Sequence, residues 1–149
     1  MVLTLSKEYE FNSSIDDIWR VLTDLSKITR CIPNIEDVKI EDYRFKARVK
    51  PPFSFIKGKF NIESKIKELR EKEFILVYVK GSSIGAEFEI SMSITISIFE
   101  GITRLKADII IDTHGLLKTL PNSLVYKVVD DIEGYTIRCI KEQLGNSNS

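Results

Sequence analysis

Between residues 35 and 114 apolar side chains recur at every second position, and in the segments 15 to 32 before it and 117 to 140 after it they recur at every third or fourth. A chain that changes period in this way must build an antiparallel sheet first and cover it with helices drawn from its two ends. The alternation is clearest where Ala86, Phe88, Ile90, Met92, Ile94, Ile96 and Ile98 interleave with Glu87, Glu89, Ser91, Ser93, Thr95 and Ser97, giving one buried and one wet face. The same phase places Phe60, Ile62 and Ile66 inward on one strand and Leu105, Ala107, Ile109 and Ile111 inward on another. From Phe74 to Val79 both phases are apolar, so the inner face is not assigned. An opening strand runs from Val2 to Phe11. Six more read as Val38 to Asp42, Arg44 to Lys50, Ile56 to Glu68, Glu73 to Gly81, Ala86 to Phe99 and Thr103 to Asp112. Glu100-Gly101 marks a tight hairpin, residues 80 to 85 a looser one, and Pro51-Pro52 a break, because proline cannot donate to a ladder.

Ser13 and Ser14 offer N-caps to a first helix whose stripe is Ile15, Ile18, Trp19, Leu22 and Leu25. A second short turn covers Ser26 to Ile32 and stops before Pro33. Past Gly115, the positions Leu117, Leu120, Leu124, Val125, Val128, Ile132, Tyr135, Cys139 and Ile140 predict a long terminal helix, with Gly134 as an interior weak point. Residues 1–144 are expected to form a single domain, and residues 145–149 a flexible tail.

Lys and Arg together equal Asp and Glu at 22 each, so no net field favours a polyanion, and no nucleic-acid partner is expected. Abundant Ile, Lys, Arg and Glu with scarce Ala and Gln fit a hot-adapted, thermophile protein. Cys31 and Cys139 belong to no Cys-x-x-Cys pair, and reduced, unpaired, non-catalytic thiols are expected. The chain opens directly on a strand with no basic and apolar leader, which points to the cytoplasm, and no apolar run is long enough to span a bilayer.

Little in the chain reads as reaction chemistry. One histidine and two separated cysteines cannot supply a soft metal site, and the 81–85 loop lacks the Lys-Ser/Thr that a phosphate loop requires. No metal and no cofactor are expected. His114 near Asp112 reads as a strand-end residue. Asp16-Asp17 and Asp130-Asp131 read as solvated helix faces, the first pair with a cap role. The outward lysines 57, 59, 65 and 67, with Lys46, Arg48 and Lys50 beside them, read as a solvated sheet face. No catalytic residue is assigned. What remains is the apolar space between sheet and terminal helix, where Phe45, Phe53, Phe55, Phe60, Phe88 and Met92 either wall a cavity or fill a core. Pattern alone leaves both open.

The order strand, short helix pair, six-strand meander, long helix resembles the helix-grip fold of the START and birch-pollen-allergen (SRPBCC) superfamily. Within it the chain is similar to the carbon monoxide dehydrogenase CoxG family. The match rests on residues 14 to 19 ending in Trp19, on Leu22-Thr-Asp24, on Cys31-Ile-Pro33, on Gly58-Lys-Phe60, on Lys80-Gly81 with Gly85, and on Gly115-Leu-Leu117. Asn34 stands where the family usually has Gly, a position Asn tolerates because it accepts left-handed geometry. The resemblance implies an α+β fold in which a curved seven-stranded antiparallel β-sheet wraps around a long C-terminal α-helix. It also implies an accessory protein of a molybdenum-dependent carbon monoxide dehydrogenase-type system that binds a lipophilic small molecule, a lipid or quinone-like compound, without turning it over.

On that reading the cavity is lined by Phe45, Phe55, Phe60, Phe88 and Met92 from the strands, and by Ile109, Leu117, Leu120, Leu124 and Val128 from the last strand onward. Its mouth is Ile32, Pro33 and Phe53. Partners are then a lipophilic molecule, a molybdenum hydroxylase and at most a transient peripheral membrane contact, since the apolar anchor of longer members is absent before Ser149. A protein-docking subunit without ligand, and a cyclase, dehydratase or hydrolase of the same superfamily, are the alternatives.

Overall fold

Seven strands pair in one antiparallel sheet whose spatial order is β1-β7-β6-β5-β4-β3-β2. They are β1 (Val2–Phe11), β2 (Ile35–Glu41), β3 (Arg44–Val49), β4 (Phe60–Arg70), β5 (Phe74–Ser83), β6 (Ala86–Phe99) and β7 (Ile102–Gly115). Two short helices, α1 (Ile15–Leu22) and α2 (Leu25–Thr29), follow β1, and a 3-10 turn at Leu116–Thr119 leads into α3 (Asn122–Gln143). The computed structural model describes residues 1–52 and 58–145. The expected start of β4 at Ile56, Lys57 of the lysine stripe, and the site residues Phe53 and Phe55 lie outside the described residues.

The element order is the one the periodicity predicts. Ser14 caps α1, its hydroxyl accepting from the Asp17 amide at 3.1 Å, and Asp24 caps α2, accepting from the Ser26 amide at 3.0 Å and its hydroxyl at 2.6 Å. That Ser26 hydroxyl holds the exposed Asp24 carboxyl below its ordinary range. The ambiguous β5 presents Ile75, Val77 and Val79 inward, paired with Ile94, Met92 and Ile90 of β6. In β4 a register shift between Ile66 and Glu68 moves the inner phase onto Leu69. Asn34 has φ 61°, as its replacement of glycine requires.

Three expectations are corrected. Ile98 is 57% exposed, because the end of β6 pairs with Thr103 beyond the reach of the helices. On α3, Ile132 and Tyr135 face solvent at 41% and 45%, and the covered row runs instead through Val125, Val129, Glu133, Thr136 and Ile140. Two polar residues interrupt that row, so apolar periodicity selects its neighbour. Thirdly, Cys31 and Cys139 are not free thiols but a disulfide, with Cα atoms 5.3 Å apart across 108 residues of chain. The fold brings the end of the α2 turn against the last turns of α3, where Thr136 Oγ1 donates to the Cys31 carbonyl at 2.8 Å and Gln143 Nε2 to that of Lys27 at 2.9 Å.

Candidate functional site

The interior divides into two cores along α3. One gathers Leu3, Phe45, Phe60, Ile62, Ala86, Ile111, Leu117, Leu120 and Val125 around the start of the helix. The other gathers Phe11, Ile18, Val21, Leu22, Cys31, Ile75, Ile96, Leu105 and Ile140 around its end. Across the middle of the sheet the inward residues form a row, Leu5 beside Ile109 beside Met92 beside Val77 beside Ile66, and all five are only half-buried. Met92 belongs to neither core.

The site residues expected from sequence divide accordingly. Phe45, Phe60, Leu117 and Leu120 are at most 8% exposed and packed within the first core. Phe60 meets Phe88 edge to face at 5.4 Å, and the Phe88 ring fills the space over Gly81, where a Cβ would lie 2.3 Å from it. Phe88, Met92, Ile109, Leu124 and Val128 are half-buried, as are Ile32 and Pro33. Two open concave areas, of about 390 and 800 Å³, lie on the outer face of the sheet, with Glu63 and Lys80 lining both. None of the described residues expected to line the cavity touches either.

Where the two cores part, the interface carries charge. Lys7 occupies the inward phase of β1 between Leu5 and Tyr9, and its Nζ stands 2.6 Å from Asp130 Oδ1 and 3.2 Å from Glu133 Oε2 of α3. That Oε2 is buried, with the Lys7 ammonium as its ion-pair partner. Asp130 first, then Glu133, hold the ammonium above its ordinary 10.5, while burial, and next the hydrogen bond to Glu133, push the Tyr9 phenol well above its ordinary 10.0. Both shifts are upward, so the stabilisation each represents is complete below the ordinary value and is lost as pH rises through the folded one. In an alkaline absorbance titration of the five tyrosines, Tyr9 should therefore ionise only as the fold opens. Loss of that late step in Tyr9→Phe assigns it, and a wild-type titration with every phenol ionising near pH 10 contradicts it.

Sequence reasoning missed this cluster, although a signal was there. A lysine in the inward phase of a strand, and a glutamate at helical spacing from Val129 and Ile140, are each unusual alone and complementary together. Asp130, expected to be solvated, pairs with Lys7, whereas Asp131 pairs with Lys127 along the helix at 3.1 Å. Elsewhere His114 Nε2 lies 3.3 Å from Asp112, both substantially exposed at the strand end. Among the described residues no group of three His, Cys, Asp or Glu could hold a metal ion, and no helix is long and apolar enough to cross a membrane.

Sheet, short helix pair and long terminal helix define a helix-grip protein of the START-like class. Solved structures share that fold. A conserved protein from Geobacillus kaustophilus is similar with a TM-score of 0.87 at 15% identity, over 99% of this chain and 98% of that one. A START superfamily protein from Mycobacterium smegmatis gives 0.69 at 16%, over 95% and 97%. The Zhui aromatase/cyclase from Streptomyces sp. R1128 gives 0.68 at 13%, over 97% and 93%. No curated protein matches the chain. The family model of CoxG, the G subunit of carbon monoxide dehydrogenase, matches residues 8–145, and the chain belongs to that family.

Proposed function

We propose that this chain binds a lipophilic small molecule, a lipid or quinone-like compound, between the sheet and α3, and serves a molybdenum-dependent carbon monoxide dehydrogenase-type system as a non-catalytic accessory. Family membership supports the accessory role. The observation that carries the binding role is the half-buried apolar row through Met92 between two closed cores. Apolar side chains in the middle of a sheet–helix sandwich ordinarily pack to the density of a crystal, and leaving them half-covered forgoes about 25 cal/mol for each Å² not buried. An apolar ligand seated there recovers that stabilisation. Phe88, Met92, Ile109 and Leu124 are its walls, and Phe45, Phe60, Leu117 and Leu120 support them from behind; Val128 flanks it, and Ile32 and Pro33 rim its mouth. We assign the protein to the cytoplasm, where membrane contact is transient and peripheral. Taken with the hot-adapted reading of the composition, the disulfide is consistent with that, since intracellular proteins of hyperthermophiles are disulfide-rich.

Met92→Trp tests the site. With space beside Met92 the indole fills it, and binding of 2-ethylnaphthalene, a purely apolar probe, should fall at least tenfold while the melting temperature holds. With no space, overpacking should cost roughly 1–3 kcal/mol of stability and there should be no binding to lose. Recovery of a molybdenum hydroxylase subunit with the tagged chain from its native host tests the accessory role, and repeated recovery of the chain alone counts against it.

A cyclase- or dehydratase-type enzyme is the second reading, favoured by the convergence of Lys7, Tyr9 and Glu133. Against it, Lys7 and Tyr9 both hold their protons more tightly than free side chains do. General acid–base work near neutrality calls for the opposite tuning.

A further inference from the structure

We infer that Lys7, set by Asp130 and Glu133, forms the polar end of the ligand site and holds an oxygen on the head of an otherwise apolar ligand. The inference rests on the binding role proposed above. Lys7 stands two residues along β1 from Leu5, the first member of the half-buried row, and paired strands carry that offset across the sheet from Lys7 to Ala107 and Ile94. At about 3.3 Å per residue, the ammonium springs from a point roughly 7 Å from the row. Its neighbour on the sheet is a small side chain, Ala107.

An ammonium has three N–H donors. Asp130 and Glu133 account for two of them at 2.6 and 3.2 Å, and the third can reach a carbonyl or hydroxyl oxygen. Tyr9 brings a phenol to the same carboxylate from the next inward position of β1 and donates its one O–H there, so the donor to spare is that of Lys7. Glu133 does not itself need to meet the ligand. Its Oε2, buried and 3.2 Å from the Lys7 ammonium, makes it a positioning residue that fixes the Lys7 head against the middle of α3. Carbonyl-bearing ligands with a large apolar body, ketones and quinones among them, fit this chemistry.

The test compares 2-acetylnaphthalene with 2-ethylnaphthalene, near-isosteres that differ in one carbonyl oxygen, by calorimetric titration of wild-type protein, Lys7→Met and Tyr9→Phe. The readout is the ratio of the two affinities, which a general loss of fold or of cavity shape would leave unchanged. Lys7→Met should shift the ratio about tenfold against the ketone, the scale of a hydrogen bond to a charged group, with 2-ethylnaphthalene affinity kept within a factor of two. Tyr9→Phe, which removes a phenol whose one donor is already given to Glu133, should leave the ratio within a factor of two. A ratio unchanged in Lys7→Met, or shifted as far by Tyr9→Phe as by Lys7→Met, overturns this inference and leaves the apolar site standing. Failure of wild-type protein to bind either probe overturns the apolar site and this inference with it.

Discussion

Reduced protein, and the Cys139→Ser variant alike, should be less stable than the disulfide-bonded chain by about 3–5 kcal/mol, because the cross-link closes a loop of 108 residues and the entropy removed from an unfolded chain grows with loop length. For a domain of this size roughly 2–4 °C of melting temperature accompany each kcal/mol, so the midpoint should fall by about 6–20 °C. The effect should not be uniform. The bond fastens the turn carrying Ile32 and Pro33 to α3, with the Thr136 and Gln143 side chains beside it, so the Ile32 amide should lose exchange protection before the sheet does. Calorimetry with and without a phosphine reductant measures the first effect and hydrogen exchange the second. A midpoint that moves by less than about 2 °C on reduction, with free thiols demonstrated, would show that the cross-link constrains nothing.

Strand-by-strand architecture was legible because the two faces of this sheet differ so cleanly. Each residue of β6 from Ala86 to Ile96 carries its own in or out label, and hairpin geometry turns those labels into a register. Gly81 beside Phe88 is such a hairpin pairing, whereas Lys7 beside Ala107 joins β1 to β7 across the whole meander, where no turn fixes the register. Legibility stopped where local pattern and tertiary position separate. Ile98 has the inward phase but extends past the layer that would cover it. Glu133 and Thr136 lie on the inner row of α3, yet as polar residues they read as outer, and that exchange hid the charged cluster of the interface. The disulfide was beyond any local signal, since its two ends meet only after the meander has brought α3 back over the α2 turn.

Gly115→Ala should destabilise the protein by about 3–5 kcal/mol, near the upper end for a single small substitution, through strain at a special backbone position rather than loss of a contact. Gly115 ends β7 with φ 64° and ψ −134°, a combination essentially confined to glycine. A Cβ there would lie 2.2 Å from the Gly85 carbonyl oxygen, the same oxygen that accepts from the Leu116 amide at 2.8 Å. The chain cannot shift to relieve the clash without breaking that hydrogen bond and swinging Leu117, which anchors the 3-10 turn in the first core. Gly134→Ala supplies the contrast. It lies inside α3, where an added Cβ would meet nothing within 4 Å and where φ is not positive, so alanine should stabilise by about 0.5–1 kcal/mol through helix propensity alone. Denaturant titrations of the two variants should therefore move in opposite directions. Equal, small effects would mean that the β7-to-α3 turn is not the rigid joint that sets α3 over the sheet, and α3 would then be free to adjust its distance from Met92 without cost.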